Sequence, residues 1–286
     1  RGVLEAADEF AAINLIRTPL GVYTYLAPLF AAYTFESDLI AITILLGFGR
    51  ISILFLYTLI ALRKIPALKI NPCFRFSHLP RLLKFGGWLT VSNVVSPLMG
   101  YLDRFFIAKT LGLDSVAFYV TPYDIITRLW IIPGAVTGVL FPRLIGLRSN
   151  NDFGRIYRDL IISTFSILII VAPVACFIYI YSWELISWWI NEDFADKSSD
   201  VIKVLSIGIV INCVTHIPYT LIQSTGNSKV TAIIHLIELP VLLISLIPLI
   251  EVFGILDAAY AWLMRVTLDF LLIWYTGIGV LRSQRK

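Results

Sequence analysis

The chain of 286 residues is 58% hydrophobic and only 15% charged, with a mean hydropathy of +0.84. Ordinary globular domains are about 45–50% apolar and about 25% charged, so this chain has too few polar groups to cover a soluble surface. That excludes a cytosolic enzyme, a secreted disulfide scaffold and a disordered tail. The net charge of +4 comes from basic residues between long apolar runs, which is typical of membrane topology, and no nucleic-acid partner is expected.

Apolar runs of membrane length recur along the whole chain. A bilayer span needs about 20 mostly apolar residues. Polarity does not alternate within these runs, which excludes a transmembrane barrel. The sequence therefore predicts an all-α polytopic membrane protein with about eight transmembrane helices, at residues 14–35, 38–62, 82–108, 115–142, 160–182, 201–225, 230–250 and 254–281. Several spans contain an internal proline that removes a helical hydrogen bond, as in the broken helices of transporters.

Lysine and arginine are distributed unevenly between the two sides of the predicted bundle. The loops after the second, fourth and sixth spans, together with the C-terminus, hold 14 of them, whereas the opposite side holds three. By the positive-inside rule the C-terminus and the basic loops are cytoplasmic. The tryptophan-rich segment 182–200 then lies at the outer interface. We expect residues 1–62 to form a two-span piece, 63–81 a basic cytoplasmic linker and 82–286 a six-span piece.

Arg50 is the strongest single signal of function. It divides an apolar run with 11 apolar or small residues on either side. A charge at that depth costs about 2.5–3.5 kcal/mol on insertion scales, so such residues face a cavity or a partner. Gly47 and Gly49 would let another group approach closely. We interpret Arg50 as lining a ligand path, with a structural ion pair as the alternative.

Three further spans carry opposite charges close together. Asp103 and Arg104 are adjacent and point to different sides of their helix. The other two pairs are four residues apart and share a helical face: Asp124 with Arg128, and Arg265 with Asp269. Each pair either holds the bundle together by itself or exchanges one partner for a phosphate or a proton.

Glu238 has no charged neighbour within its span. It must find a partner on another helix or be protonated, and an unpaired membrane carboxylate is a candidate for proton coupling. The lone histidines His216 and His235 are expected to be packed and hydrogen-bonded. The three cysteines lack metal spacing, so neither a metal site nor a cofactor is expected. Phosphate loops and nucleophile motifs are missing too, which argues against an enzyme.

Several segments resemble a known family. The stretches LLKFGGWLTVSN (82–93), LDRFFIAKTLG (102–112), YVTPYDIITRL (119–129), QSTGNSKVTA (223–232) and AAYAWLMR (258–265) resemble polysaccharide transporters of the multidrug/oligosaccharidyl-lipid/polysaccharide exporter superfamily, especially O-antigen flippases of the Wzx type. The resemblance implies a MATE/MOP-like fold of two six-helix lobes. This chain would supply the last two helices of the first lobe and the complete second lobe, lacking the first four helices.

The resemblance also implies a function. Such proteins flip undecaprenyl-pyrophosphate-linked oligosaccharide units across the bacterial inner membrane by alternating access, with a proton or sodium gradient and other polysaccharide-assembly membrane proteins as partners. Charge and depth, rather than a family motif, select Arg50, Arg104, Arg128 and Arg265 for head-group contact and Asp124, Glu238 and Asp269 for ion coupling. The alternatives are a cation-coupled drug or metabolite antiporter of the same superfamily, a non-transporting fragment and, least favoured, a membrane enzyme.

Overall fold

The computed structural model describes residues 4, 9–34, 39–64, 76 and 79–284, and helices make up nearly all of them. No strand occurs in these ranges. The α-helices are α1 Phe10–Thr34, α2 Leu39–Lys64, α3 Leu79–Leu111, α4 Leu113–Thr127, α5 Ile131–Ser149, α6 Phe153–Ile180, α7 Ser182–Trp189, α8 Glu192–Ser224, α9 Ser228–Phe253 and α10 Ile255–Gln284. The predicted all-α polytopic membrane protein is confirmed. Its contacts divide the chain into two units, residues 1–76 and 77–286.

Six stretches of the described helices are long and apolar enough to cross a membrane. They are Ile40–Lys64, Leu113–Ser149, Phe153–Ile180, Glu192–Ser224, Ser228–Ser245 and Ile255–Arg282. Helices α1 and α3 coincide with the expected spans 14–35 and 82–108 but are not among the six. In α3 the reason is its polar middle, where Ser92, Asn93 and Ser96 line a cavity. Most of the expected linker 63–81 lies outside the described residues.

The first unit consists of α1 packed on α2. The Tyr23 ring lies so close to Gly49 that a Cβ atom there would collide with it. The Tyr23 hydroxyl also donates a hydrogen bond to the Leu45 carbonyl at 2.6 Å. Gly49 therefore does permit a close approach, by a tyrosine of the neighbouring helix. Arg50, the next residue, has an exposed side chain.

Helix α8 is the centre of the second unit. It packs against α4, α5, α6, α7 and α10, and 72% of its apolar stretch is buried, against 17% in α6. Gly208 of α8 faces Trp262 of α10, which is fully buried. A central apolar helix with small residues where rings pack is what close helix association in a membrane requires. The outer helices, by contrast, present large apolar side chains outward.

A short 3₁₀ turn, Arg128–Trp130, separates α4 from α5. Pro133 follows three residues later, and a proline ring conflicts with the carbonyl four residues before it, which is that of Leu129. Internal prolines such as Pro97 and Pro218 stay within continuous helices. Of the prolines in the described spans, only Pro133 accompanies such an interruption. The tryptophan-rich segment 182–200 forms the short helix α7 and the first turns of α8, and Trp188 of α7 is 87% exposed.

Candidate functional site

A polar cavity of about 610 Å³ lies within the second unit, between α3, α4, α8, α9 and α10. Apolar helices surround it, yet most of its lining side chains carry a polar atom. The lining residues are Ser92, Asn93, Ser96, Pro97, Gly100, Tyr101, Arg104, Tyr123, Asp124, Thr127, Trp130, Asn212, Thr215, His216, Tyr219, His235, Arg265 and Asp269. Such a concentration of polar groups inside a membrane bundle is typical of binding sites.

Arg104 forms one charged centre of the cavity. Its Nη2 atom donates to Asp124 Oδ1 at 2.9 Å, and the guanidinium carbon lies 5.4 Å from the ring centres of both Tyr101 and Tyr123. The two rings hold the cation through their electron-rich faces. The Arg104 Nε atom has no hydrogen-bond partner among the described residues. Arg104 is thus oriented by its neighbours while part of its donor capacity stays unused.

The adjacent residue Asp103 turns away from the cavity into the packed core. It is completely buried and accepts a hydrogen bond from the Tyr119 hydroxyl at 2.9 Å. Neighbouring residues on a helix point in different directions, which explains why the two charges serve different environments. Asp103 contributes to packing between α3 and α4, whereas Arg104 faces the cavity.

Arg265 forms the second charged centre, on α10. Its Nη1 atom lies 3.8 Å from Glu238 Oε2 of α9, and the two side chains are 10% and 0% exposed. The sequence left two possibilities for Glu238, a partner on another helix or protonation, and the structure places a cation of another helix beside it. Both oxygens of Glu238 and one of Asp269 lack a hydrogen-bond partner within the described part of the chain. The carboxylates therefore keep unused acceptor capacity in a buried place.

His235 joins these carboxylates in one cluster. Ligand atoms of His235, Glu238 and Asp269 all lie within 4.8 Å of one another. The His235 Nδ1 atom is 2.9 Å from Ser92 Oγ, and its ring stacks on that of Tyr219 at 6.1 Å. His235 is packed and hydrogen-bonded as predicted. A site of this composition can take a proton or a cation beside Arg265.

Two ion pairs suggested by sequence spacing, Asp124–Arg128 and Arg265–Asp269, do not form within the described ranges. Asp124 and Arg265 each pair with a residue of another helix. Asp124 pairs with Arg104 of α3 instead of Arg128, because the 3₁₀ turn interrupts the helical face that Asp124 and Arg128 were expected to share. Arg265 pairs with Glu238 of α9. Among the described residues, no contact within 4 Å joins Arg265 to Asp269, since the guanidinium is turned towards the neighbouring helix.

The cavity brings together four of the seven sequence-derived site residues, namely Arg104, Asp124, Arg265 and Asp269, with Glu238 directly behind Arg265. Arg128 has an exposed side chain and is not in the lining. Arg50 belongs to the first unit, which is described separately.

Sequence reasoning missed the uncharged polar lining, including Ser92, Asn93, Ser96 and Asn212. The available signal was spacing. Ser92 with Ser96, and Asn212 with His216, stand four residues apart within otherwise apolar helices, so each pair shares a helical face. Asn212 also accepts a hydrogen bond from Trp130 Nε1 at 2.8 Å, which fixes the indole at the cavity wall.

Comparison with known proteins places the chain in a family. A family model described as polysaccharide biosynthesis protein matches residues 9–198. The chain belongs to this family. It is also 34% identical over 272 residues to a protein of Shigella flexneri named "Putative O-antigen transporter", an alignment that covers 95% of this chain and 63% of that protein. The chain thus spans less than two thirds of this relative's length. The resemblance to polysaccharide transporters is confirmed at the level of the family.

Proposed function

We propose that this polysaccharide biosynthesis protein acts in flipping undecaprenyl-pyrophosphate-linked oligosaccharide repeat units across the bacterial inner membrane, for O-antigen or polysaccharide assembly. The observation that carries the proposal is the polar cavity with Arg104 and Arg265, surrounded by helices of membrane length. Translocation by alternating access needs no covalent chemistry, so the cavity has to bind and release rather than react. The protein is a transporter and not an enzyme in this proposal.

The diphosphate head group is assigned to Arg104 and Arg265. A diphosphate leaving water needs charge-assisted hydrogen bonds, and the planar guanidinium provides them in pairs. Both guanidinium groups line the cavity, and the Nε atom of each is buried without a hydrogen-bond partner among the described residues. Arg50 and Arg128 remain further candidates for head-group contact at other stages of translocation.

Ion coupling is assigned to Glu238 and Asp269, with His235 beside them. A proton or a sodium ion bound there would change the charge next to Arg265, because Arg265 Nη1 lies 3.8 Å from Glu238 Oε2. Arg265 is therefore shared by the coupling site and the substrate cavity, which His235 and Asp269 also line. Asp124, the third acidic candidate, is the counterion of Arg104 and would be displaced when a phosphate binds.

The orientation is proposed from the distribution of basic residues. The α5–α6 junction carries Arg148 and Arg155, and the α8–α9 junction carries Lys229. Helices α6 and α8 cross the membrane in succession, so both junctions lie on one side. The positive-inside rule makes this side, and with it the C-terminus, cytoplasmic.

Binding of undecaprenyl diphosphate to the purified chain in lipid nanodiscs tests the head-group assignment. We expect Arg104→Gln to weaken binding at least about tenfold, which is the effect of losing a charge-assisted hydrogen bond. The variant should fold, because the Asp124 side chain is 52% exposed and stays solvated. Lys109→Gln is the matched control, since Lys109 lies on the same helix, is exposed and does not line the cavity.

Display of O-antigen by a strain that lacks its own flippase supplies the second measurement. We expect the unchanged chain and Lys109→Gln to behave alike, and Arg104→Gln to be defective. Equal binding and equal display for all three proteins would contradict the head-group role of Arg104. Selective binding of an organic cation, with no binding of undecaprenyl diphosphate, would favour the antiporter alternative.

A further inference from the structure

A second cleft, separate from the polar cavity, lies at the junction of α5 and α6. Its volume is about 510 Å³, and it is lined by Arg143, Gly146, Leu147, Arg155 and Arg158. The last turns of α5 and the first turns of α6 form its walls. Three arginines in one small cleft require counterions, and neither the polar cavity nor the proposed coupling site uses any of them.

Carboxylates neutralise only part of this charge. Asp159 is nearly buried and accepts two hydrogen bonds from Arg143, at 2.5 and 3.1 Å. Arg158 lies 3.9 Å from the same carboxylate, beyond hydrogen-bond distance. Arg155 pairs with Asp152 at 3.2 Å. Three guanidinium groups thus share two carboxylates, and the arginine side chains are 53–64% exposed. Each guanidinium carries five N–H donors, so most of them remain available to an anion.

Gly146 lines the cleft and has no side chain to occupy it. A Cβ atom built at this glycine would meet nothing within 4 Å. Beside it, Leu147 packs partly against the apolar core and forms an apolar wall. An anion attached to an apolar body could therefore enter the space above Gly146 and meet the guanidinium groups around it.

Both helices carry exposed apolar side chains close in sequence to the residues that line the cleft. On α5 they are Phe141 and Ile145, and on α6 Tyr157 and Ile162, whose exposed fractions range from 37% to 61%. Residues of this kind on the outside of a membrane bundle face lipid chains. The arginines lie among them near the junction of the two spans, at the level expected for lipid phosphates.

The geometry points to a binding site for the phosphate of an anionic phospholipid, held by Arg155 and Arg158 above Gly146 with Arg143 behind them. The ligand is a phosphodiester such as that of phosphatidylglycerol. The guanidinium groups bind the phosphate oxygens, and the acyl chains lie against the apolar side chains of α5 and α6. This site does not depend on the flipping proposal, because it shares no residue with the polar cavity.

Native mass spectrometry of the purified chain with added phosphatidylglycerol or phosphatidylcholine tests the site. We expect phosphatidylglycerol to bind more tightly, and Gly146→Leu to remove this preference by filling the cleft while every charge is kept. Gly138→Leu is the matched control, because it adds the same bulk to an exposed, open position two turns earlier on α5, outside the cleft. The double variant Arg155→Gln/Arg158→Gln should weaken binding by about fivefold per arginine.

Three outcomes would overturn the inference. The first is equal binding of the two lipids by the unchanged chain. The second is a preference that survives in Gly146→Leu, since the arginines would then act as a diffuse surface charge without a cleft. The third is displacement of phosphatidylglycerol by millimolar inorganic phosphate, which would assign the cleft to a soluble anion. Undecaprenyl diphosphate binding in the polar cavity is measured separately and is expected to be unchanged in Gly146→Leu.

Discussion

Replacing Arg265 by methionine tests whether the buried charges of the second unit are held by one cation. Methionine has a similar length and no charge, so Arg265→Met keeps much of the packing and removes the attraction. Glu238, which is fully buried, and Asp269, which is 8% exposed, would then face each other without the guanidinium. Two carboxylates near one another in a buried place repel, and each loses solvation.

The magnitude follows from the contact. When both groups are ionised, two unit charges separated by 3.8 Å, the distance from Arg265 Nη1 to Glu238 Oε2, attract by about 4 kcal/mol at an effective dielectric constant of about 20. Removing one partner of a buried pair costs about 3–5 kcal/mol in proteins where it has been measured. We therefore expect Arg265→Met to lower the free energy of unfolding by about 4 kcal/mol.

Unfolding of the purified chain by SDS in mixed micelles, followed by tryptophan fluorescence, measures this loss. The double variant Arg265→Met/Glu238→Gln removes the uncompensated carboxylate and should recover at least half of the stability. The comparison with Glu238→Gln alone completes a double-mutant cycle, which isolates the interaction between the two side chains. Losses that simply add, with no recovery in the double variant, would refute the reasoning.

The same double variant separates the two roles that the sequence leaves open for Arg265. If Arg265 binds the head group, the stable double variant should still fail to bind undecaprenyl diphosphate. If the ion pair only holds the bundle together, the double variant should bind it like the unchanged chain. If O-antigen display is compared as well, the strain with the double variant and the strain with the unchanged chain must contain equal amounts of the protein in the membrane.

Two further predictions concern the core and the first unit. We expect Gly208→Ala to lower the free energy of unfolding by about 1–3 kcal/mol, because the added methyl group collides with the buried Trp262 ring. Gly279→Ala, at an exposed and open position of the same helix as Trp262, should leave stability unchanged. SDS unfolding compares the two variants, and equal stability would contradict the packing argument. We expect Arg50→Ala to abolish O-antigen display without lowering the amount of protein in the membrane, and Arg50→Lys to preserve part of it. Arg50 has no ion-pair partner among the described residues, so its removal leaves no buried carboxylate unpaired there. Normal O-antigen display by the alanine variant would exclude a head-group role for Arg50.

Composition and spacing predicted the class of protein and most of its helices. Low charge and long apolar runs leave few alternatives to a helical membrane bundle, because every backbone polar group in lipid must be satisfied within the segment. The same reasoning selected charged residues that belong to the site, since a charge inside a span has to face a cavity or a partner. Arg104, Asp124, Arg265 and Asp269 all line the polar cavity.

Partners between helices could not be predicted in this way. Spacing along one helix indicated Asp124 with Arg128 and Arg265 with Asp269, yet both arginine contacts that form in the second unit's cavity cross from one helix to another. The two contacts depend on the 3₁₀ turn at Arg128–Trp130 and on the packing of α9 against α10.

The sequence by itself determined that the chain is a helical membrane protein and which charges lie within its apolar helices. Only the tertiary structure decided that Arg104 meets Asp124, that Arg265 meets Glu238 and that Gly146 and three arginines line one cleft. The physical reason is that burial depends on each residue's own polarity and that of its sequence neighbours, whereas a contact at about 3–4 Å depends on how separate helices rotate and approach one another.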